Sequence, residues 1–434
     1  MNIQVPEKVN TIIETLLAHG FEAYAVGGCV RDGLLGREAD DWDITTSASP
    51  YEVKELFRRT IDTGIQHGTV TVMLDKDGFE VTTYRIDGEY EDGRHPKEVL
   101  FTKNLEEDLK RRDFTINAMA YNEQTGVVDI FGGIKDLEDK IIRCVGVAGD
   151  RFDEDALRIM RAFRFSAQLG FSIEENTCIA AAERAENLKK ISAERIRVEL
   201  TKLLLSAHPD RLLWMQQNGI TKIVLPEFDA LLIKKIQESG YEYNAGEYTL
   251  NVIGQIGTDR DWSKKELQML KFAALLHKSK IPAKEVMRRL KFDNETTDMV
   301  ARLVAAHDNY MDVSGSKEEN QAAMRHMIHR LGPDMMELLW ELHRAEIVSG
   351  NPETMEQRLN ILAEIKKIYK EVMTRNDCVS LKQLAVNGKD IIGLGAMPGK
   401  QLGEILEQLL QKVLDAPELN EKEILLSLAK QYIV

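Results

Sequence analysis

The apolar pattern of this chain changes period near residue 140, and that change limits the folds open to it. Before that point, FEAYAVGG, DWDITT, TVTVML and FEVTTYR are short, rich in Val, Thr and aromatics, and divided by Gly, Asp and Ser turn signals; this is the pattern of strands. Val9, Ile12, Ile13, Leu16 and Leu17 recur at helical spacing before Gly20, and SPYEVKELFR opens on a Ser-Pro helix start. DKDGFE is too short for a calcium loop and reads as a hairpin turn. From VGVAGDRFDEDALRIMRAFRFSAQLGF onward the patterning is almost entirely helical. The expected class is α+β: a mixed-sheet head over residues 1–140, then all-helical neck (141–207), body (208–350) and tail (351–434), with softer boundaries at GFSIEEN, SAHPD, SGSKEEN and SGNPETM. A chain of 434 residues exceeds what one compact core accommodates.

No apolar run approaches the roughly 20 residues of a membrane span, and MNIQVPEKVNTIIETL lacks a basic segment ahead of an apolar one, so a cytoplasmic protein without membrane association is expected. Cys29, Cys144, Cys178 and Cys378 form no CxxC pair and suggest neither disulfides nor zinc. The net charge of −14 argues against non-specific nucleic-acid binding. Any surface that meets a polyanion must be a local basic one.

On a strand, residues two apart share a face, so Asp41 and Asp43 project together while Asp40 and Trp42 go the other way. Adjacent carboxylates repel, and a cation removes the cost; magnesium, which keeps water and phosphate oxygens beside one or two carboxylates, suits Asp41 and Asp43. A solvated turn or a helix cap is the alternative. Gly27 and Gly28, between a strand and a helix starting near Val30, let backbone approach a phosphate, with Arg31 adding positive field, although a double glycine is also an ordinary turn. Glu80 opens the strand EVTTYR, and a neighbouring strand would bring it to the same cluster. Three acids and a glycine turn describe metal-assisted nucleotidyl transfer.

Asp155, Arg158, Arg161 and Arg164 recur every third residue and form a stripe on one side of a helix, with Phe163, Phe165 and Leu169 supplying the buried side. A salt-bridged surface helix has the same spacing. A carboxylate accepts from the exocyclic amine shared by cytosine and adenine, and a guanidinium donates to the neighbouring ring nitrogen or carbonyl, so an Asp/Arg pair can read a base edge. Arg112 offers a fork-shaped donor for phosphate.

GGCVRD, DWDITTSASP, FEVTTYR and RRDFTINAMAY together resemble the head of class II tRNA nucleotidyltransferases, which build or repair the 3′-terminal CCA of tRNA. EDALRIMRAFRFSAQLGF is similar to that family's base-recognition helix, ISAERIRVELTKLL to its next neck motif, and LAVNGKDIIGLGAMPGKQLGEIL to the C-terminal tRNA-binding region of bacterial members. The resemblance implies that Asp41 and Asp43 hold magnesium with Glu80 assisting, that Asp155 and Arg158 form a protein template, and that Arg161, Arg164 and Arg112 contact the incoming nucleotide, with Gly28 and Arg31 at the phosphate turn. Asp113 and Asn117 are expected to position ribose or the catalytic face. CTP and ATP are the implied substrates and the acceptor stem and elbow of tRNA the implied partner, bound by shape. Lys382, Lys389 and Lys400, near Gly388, Gly399 and Gly403, are candidates for RNA-backbone contact or simply turns.

IDGEYEDGRHPKEVLFTKNLEEDLK reads as a polar surface loop that adds nothing to a packed core; in the family this place holds a flexible loop needed to switch from C to A addition. In FAALLHKSKIPAKEV, Lys278 stands where some relatives carry the Asp of a His-Asp phosphohydrolase motif. His307–Asp308 lacks partner histidines at suitable sequence positions, and His326 and His329, one helical turn apart, lack acidic or cysteine partners in the sequence, so no phosphohydrolase activity is expected. Three rivals to a CCA-adding enzyme stay open: an enzyme adding only the terminal A, a poly(A) polymerase, and a non-catalytic tRNA-binding protein. The sequence carries no sign of oligomeric state.

Overall fold

The computed structural model describes residues 3–88, 99–238 and 240–433. The chain divides into two compact units, Met1–Asp229 and Ala230–Val434.

The first unit opens with α1 (Glu7–Ala18), β1 (Ala23–Val26), α2 (Gly28–Leu34), β2 (Ile44–Thr46), α3 (Pro50–Leu56), β3 (Thr60–Gly64), β4 (Thr69–Leu74) and β5 (Asp77–Thr83). A short pair, β6 (Arg85–Asp87) and β7 (Val99–Phe101), leads to α4 (Leu105–Lys110), β8 (Met119–Asn122) and β9 (Gly126–Asp129). The main sheet runs β3-β4-β5-β2-β1-β8-β9. All its pairings are antiparallel except that of β2 with β5. The DKDGFE turn joins β4 to β5, with Leu74 opposite Asp77 and Asp75 in the left-handed region at φ 55°. A capping box between Ser49 and Glu52 starts α3, where Ser-Pro predicted a helix.

Two expectations need correction. The segment from Ile86 to Lys110, read as a polar loop, includes β7 and α4, and α4 puts Leu109 in a core with Val26, Tyr84, Ala118, Ala120 and Val145. One apolar pair at helical spacing, Leu105 and Leu109 four residues apart, is the readable trace of that helix. Residues 89–98 of that stretch lie outside the described residues. The Asp-x-Asp pair, read as lying on a strand, stands just ahead of β2, although the Val26 N–H still donates to the Asp43 carbonyl at 3.0 Å and keeps that backbone in line with the sheet.

The remainder of this unit is helical: α5 (Gly133–Glu138), α6 (Ala148–Glu154), α7 (Leu157–Leu169), α8 (Glu175–Glu183) and α9 (Ala193–Leu204), followed by shorter helices, with a two-residue parallel pairing of Ile141–Ile142 with Ser172–Ile173. Phe163 and Phe165 of α7 are buried and Leu169 is half-buried. The second unit is helical apart from the hairpin Lys235–Glu238 with Tyr241–Asn244, which helical patterning had not suggested.

Candidate active site

The β2/β5 pairing sets Ile44 beside Val81, so the residues preceding them, Asp43 and Glu80, are neighbours on adjacent segments. Asp41, Asp43 and Glu80 are exposed, while Trp42 between the two aspartates is half-buried. The Asp43 carboxyl is raised above the ordinary carboxylate range, first by the protein packed around it, against the lowering effect of Arg112, and then by Asp41. Glu80 is raised as well, by its own partial desolvation and by the charges of Asp43 and Asp41. Asp43 and Glu80 therefore hold their charges less readily than isolated carboxylates do. The donor set is oxygen alone, and among the described residues no three His, Cys, Asp or Glu side chains are placed to enclose a metal unaided. The oxygen donors suit a hard divalent cation, whose shell water and phosphate can complete.

Gly27 adopts φ 84° and ψ −128° ahead of α2. A Cβ there would lie 3.0 Å from Arg112 Nη1, so glycine lets this guanidinium lie across the turn. Arg31, expected to face a phosphate, is buried and forked onto Asp32 at 2.9 and 2.7 Å, and Nη1 donates to Asn117 Oδ1 at 2.7 Å. An ideal Cβ on Gly28 would lie 3.7 Å from its Nη2.

Arg112 also lines a cavity of about 230 Å³ together with Arg111, Asp113, Asp155, Leu157, Arg158, Arg161 and Arg195. Five arginines against two aspartates make this a cationic pocket in a chain of net charge −14. Most of these guanidinium groups have a close carboxylate. Arg111 donates to Asp108 at 3.0 and 2.8 Å, Arg158 to Glu154 at 2.5 Å, Arg161 to Asp113 at 2.7 Å and Arg195 to Asp155 at 2.7 Å. Arg112 reaches Asp108 only at 3.6 Å, and its buried Nε has no hydrogen-bond partner among the described residues. Burial lowers the Arg112 pKa, partly countered by Asp108. It is the arginine here with the most to gain from an arriving phosphate.

Asp113 is buried, which favours protonation, but Arg161, a hydrogen bond from Asn117 and Arg158 prevail and bring its carboxyl down to about 2. Asp155 sits between α6 and α7; Oδ1 accepts from the Leu157 N–H at 3.0 Å and Oδ2 from Arg195. Thus Asp155, Arg158, Arg161 and Arg112 converge on one cavity. Arg164 does not line it: it is buried, paired with Glu199 at 2.6 Å and bonded to Gln168 at 2.6 Å. The stripe is thus not an exposed basic face, because Arg158 and Arg164 are both buried.

Sequence reading missed Asp108, Arg195 and Glu154. Asp108 precedes Arg111 and Arg112 by three and four positions, a spacing that joins side chains on a helix. Glu154 likewise stands four before Arg158. Arg195 lies forty residues from its partner and left no comparable local trace.

Residues 23–143 match the family described as Poly A polymerase head domain, residues 170–232 the RNA and SrmB-binding site of polymerase A, and residues 261–429 tRNA nucleotidyltransferase domain 2. The chain is 36% identical over 427 residues to a CCA-adding enzyme of Enterococcus faecalis, covering 97% of this chain and 94% of that protein. The chain belongs to the CCA-adding enzyme family. Another member, from Lactococcus lactis subsp. cremoris, is 37% identical over 436 residues, covering 97% of this chain and 95% of that protein. The solved structure of the Bacillus stearothermophilus CCA-adding enzyme in complex with CTP is similar at a TM-score of 0.76 and 31% identity, over 99% of this chain and 98% of that one.

In the second unit, the histidine and acidic partners that the sequence did not reveal are present. His277 and His307 meet edge to face at 5.4 Å, and His343 Nε2 donates to the His307 carbonyl at 2.8 Å. The ammonium of Lys278 lies 3.5 Å from Glu346 and 3.9 Å from Asp308. Burial pushes His277 well below the usual imidazole range and His343 down to about 4. His326 pairs with Asp415 at 2.8 Å and His329 with Glu407 at 3.2 Å. Among the described residues no helix is long and apolar enough to cross a membrane.

Proposed function

We propose that this protein adds CMP, CMP and then AMP to the 3′ end of tRNA from CTP and ATP, in the cytoplasm and without a nucleic-acid template. The convergence of Arg112, Asp155, Arg158 and Arg161 on one cationic cavity carries the reading, because Arg112 links that cavity to the Gly27 turn and lies within the electrostatic reach of Asp43. The CTP complex of the Bacillus stearothermophilus relative supports it. Asp41 and Asp43 would hold magnesium, with Glu80 beside them; the bound ion supplies activation of the tRNA hydroxyl and neutralisation of phosphate charge. Arg112 binds the triphosphate, with the Gly27–Gly28 turn giving it room. Arg161, anchored by Asp113, faces the nucleotide. Asp155 presents an acceptor and Arg158 a donor to the base edge, and their bonds to Arg195 and Glu154 fix their orientation before the base arrives. Arg31 and Arg164 act from behind the site. In the division into head (1–140), neck (141–207), body (208–350) and tail (351–434), the tail takes part in binding tRNA.

The direct test uses tRNA transcripts ending at the discriminator base, at C and at CC, with magnesium and with CTP and ATP supplied separately and together. Extension of all three to CCA is expected. Extension of only the CC transcript, by one A, would identify an A-adding enzyme; long A tracts would identify a poly(A) polymerase, and binding without extension a non-catalytic protein. Asp155→Ala and Arg158→Ala are expected to erode discrimination against UTP and GTP by about 10- to 100-fold, the usual value of a paired base contact, while moving triphosphate affinity less. Discrimination that stays at the wild-type level rejects the template assignment.

A further inference from the structure

We infer that Phe165 is a positioning residue for nucleotidyl transfer, its ring holding three guanidinium groups together behind the nucleotide cavity. The Cζ atoms of Arg164, Arg31 and Arg161 lie 3.6, 5.0 and 5.4 Å from its ring centroid, all within cation–π range. Phe165 is 6% exposed, and Phe114 meets it edge to face at 5.8 Å. Arg161 and Phe165 are one helical turn apart on α7, Arg164 is the adjacent residue, and Arg31 arrives from α2 behind the Gly27 turn. One ring therefore joins the element that carries the phosphate turn to the helix that lines the base-reading cavity.

Three cations so close repel one another. Each has its own carboxylate, Asp32 for Arg31, Asp113 for Arg161 and Glu199 for Arg164, and the electron-rich ring is the group that all three share. A polar chain runs parallel to it: Arg31 donates to Asn117, and Asn117 and Arg161 both donate to Asp113. Arg164, expected from sequence to touch the nucleotide, is closest to the ring and does not line the cavity. The ring and Asp113 together define where the Arg161 guanidinium points. A filler residue would need only apolar volume at this place, whereas holding cations requires the ring's quadrupole.

The inference rests on Arg161 being a nucleotide contact, and the experiment separates the two. Position 165 is replaced in the full chain by mono-, di-, tri- and pentafluorophenylalanine, which weaken and then reverse the quadrupole while keeping the ring shape. KM for CTP and ATP, kcat and melting temperature are measured for each, beside Arg161→Ala. The expected result is a graded rise in log KM across the series, reaching about tenfold at the pentafluoro ring, with a smaller change in kcat. A flat KM series together with a raised KM in Arg161→Ala overturns the role of Phe165 and leaves the nucleotide contact standing. An unchanged KM in Arg161→Ala overturns both. A falling melting temperature with constant KM identifies Phe165 as packing alone and also overturns the inference.

Discussion

Asp41→Ala or Asp43→Ala is expected to lower nucleotide incorporation at least about 1,000-fold, the factor that about 4 kcal/mol of lost transition-state stabilisation produces. Affinity for tRNA stays within a few fold, since neither carboxylate is part of a basic surface. Folding is not compromised. Both residues are exposed; truncation relieves repulsion with Glu80, and in Asp43→Ala this offsets the lost attraction to Arg112, which Asp108 and Asp113 still neutralise. The combination to look for is a melting temperature at or above wild type, tRNA binding intact by filter retention, and single-turnover extension lost. Asp43→Asn keeps the shape and removes the charge, and is expected to be nearly as inactive. Turnover retained within tenfold in either alanine variant would remove these residues from the metal site.

The features legible in the sequence were those whose cause is local. Period-two runs of Val and Thr announced β4 and β5, and the glycine turn and Asp-x-Asp pair stood out because their side-chain chemistry is unusual at that spacing. β3, TIDTG, left no such trace: it is an edge strand, mostly exposed, without an apolar alternation. β8, MAYN, is buried throughout and so shows no alternation either. The arginine stripe illustrates the harder case. Its spacing was correct, yet spacing alone could not distinguish an exposed face from a buried one, because Glu199, which neutralises Arg164, comes from another helix thirty-five residues away. The same applies to Arg195 with Asp155 and to His277 with His307 and His343, where the partners are assembled by tertiary packing. Candidate chemistry is readable where one residue pattern suffices; the group that orients it is usually not.

Asp108→Ala is expected to cost about 3–5 kcal/mol, the penalty for leaving buried cations without their counter-ion, and to lower the melting temperature of the first unit by roughly 10 °C. Asp108 has no exposure. Its Oδ1 accepts from Arg111 and from the Arg85 N–H at 3.3 Å, and its Oδ2 accepts from Thr45 at 3.1 Å and faces Arg112 at 3.6 Å. It thereby ties α4 to β2, the strand that follows Asp43, and to the base of the β6–β7 pair. Burial raises its pKa, but Arg111 and Arg112 outweigh that and hold it below the ordinary aspartate range. A lowered carboxyl contributes stability that is complete above its unfolded value near 4 and is lost as pH falls through the lower folded value. The wild-type advantage over Asp108→Ala should therefore be full at pH 7 and shrink only below about pH 4. Asp108→Asn keeps an acceptor for Arg111 and loses the charge, so a smaller loss of about 1.5–3 kcal/mol is expected, with no acid-dependent component from this position. Since Asp108 is also, among the described residues, the carboxylate that ion-pairs with Arg112, freeing that guanidinium should raise KM for CTP and ATP together in Asp108→Asn at temperatures where the fold is intact. An Asp108→Ala protein that melts with wild type would mean that Asp43 and Asp113, the other acids felt by Arg112, suffice to neutralise it.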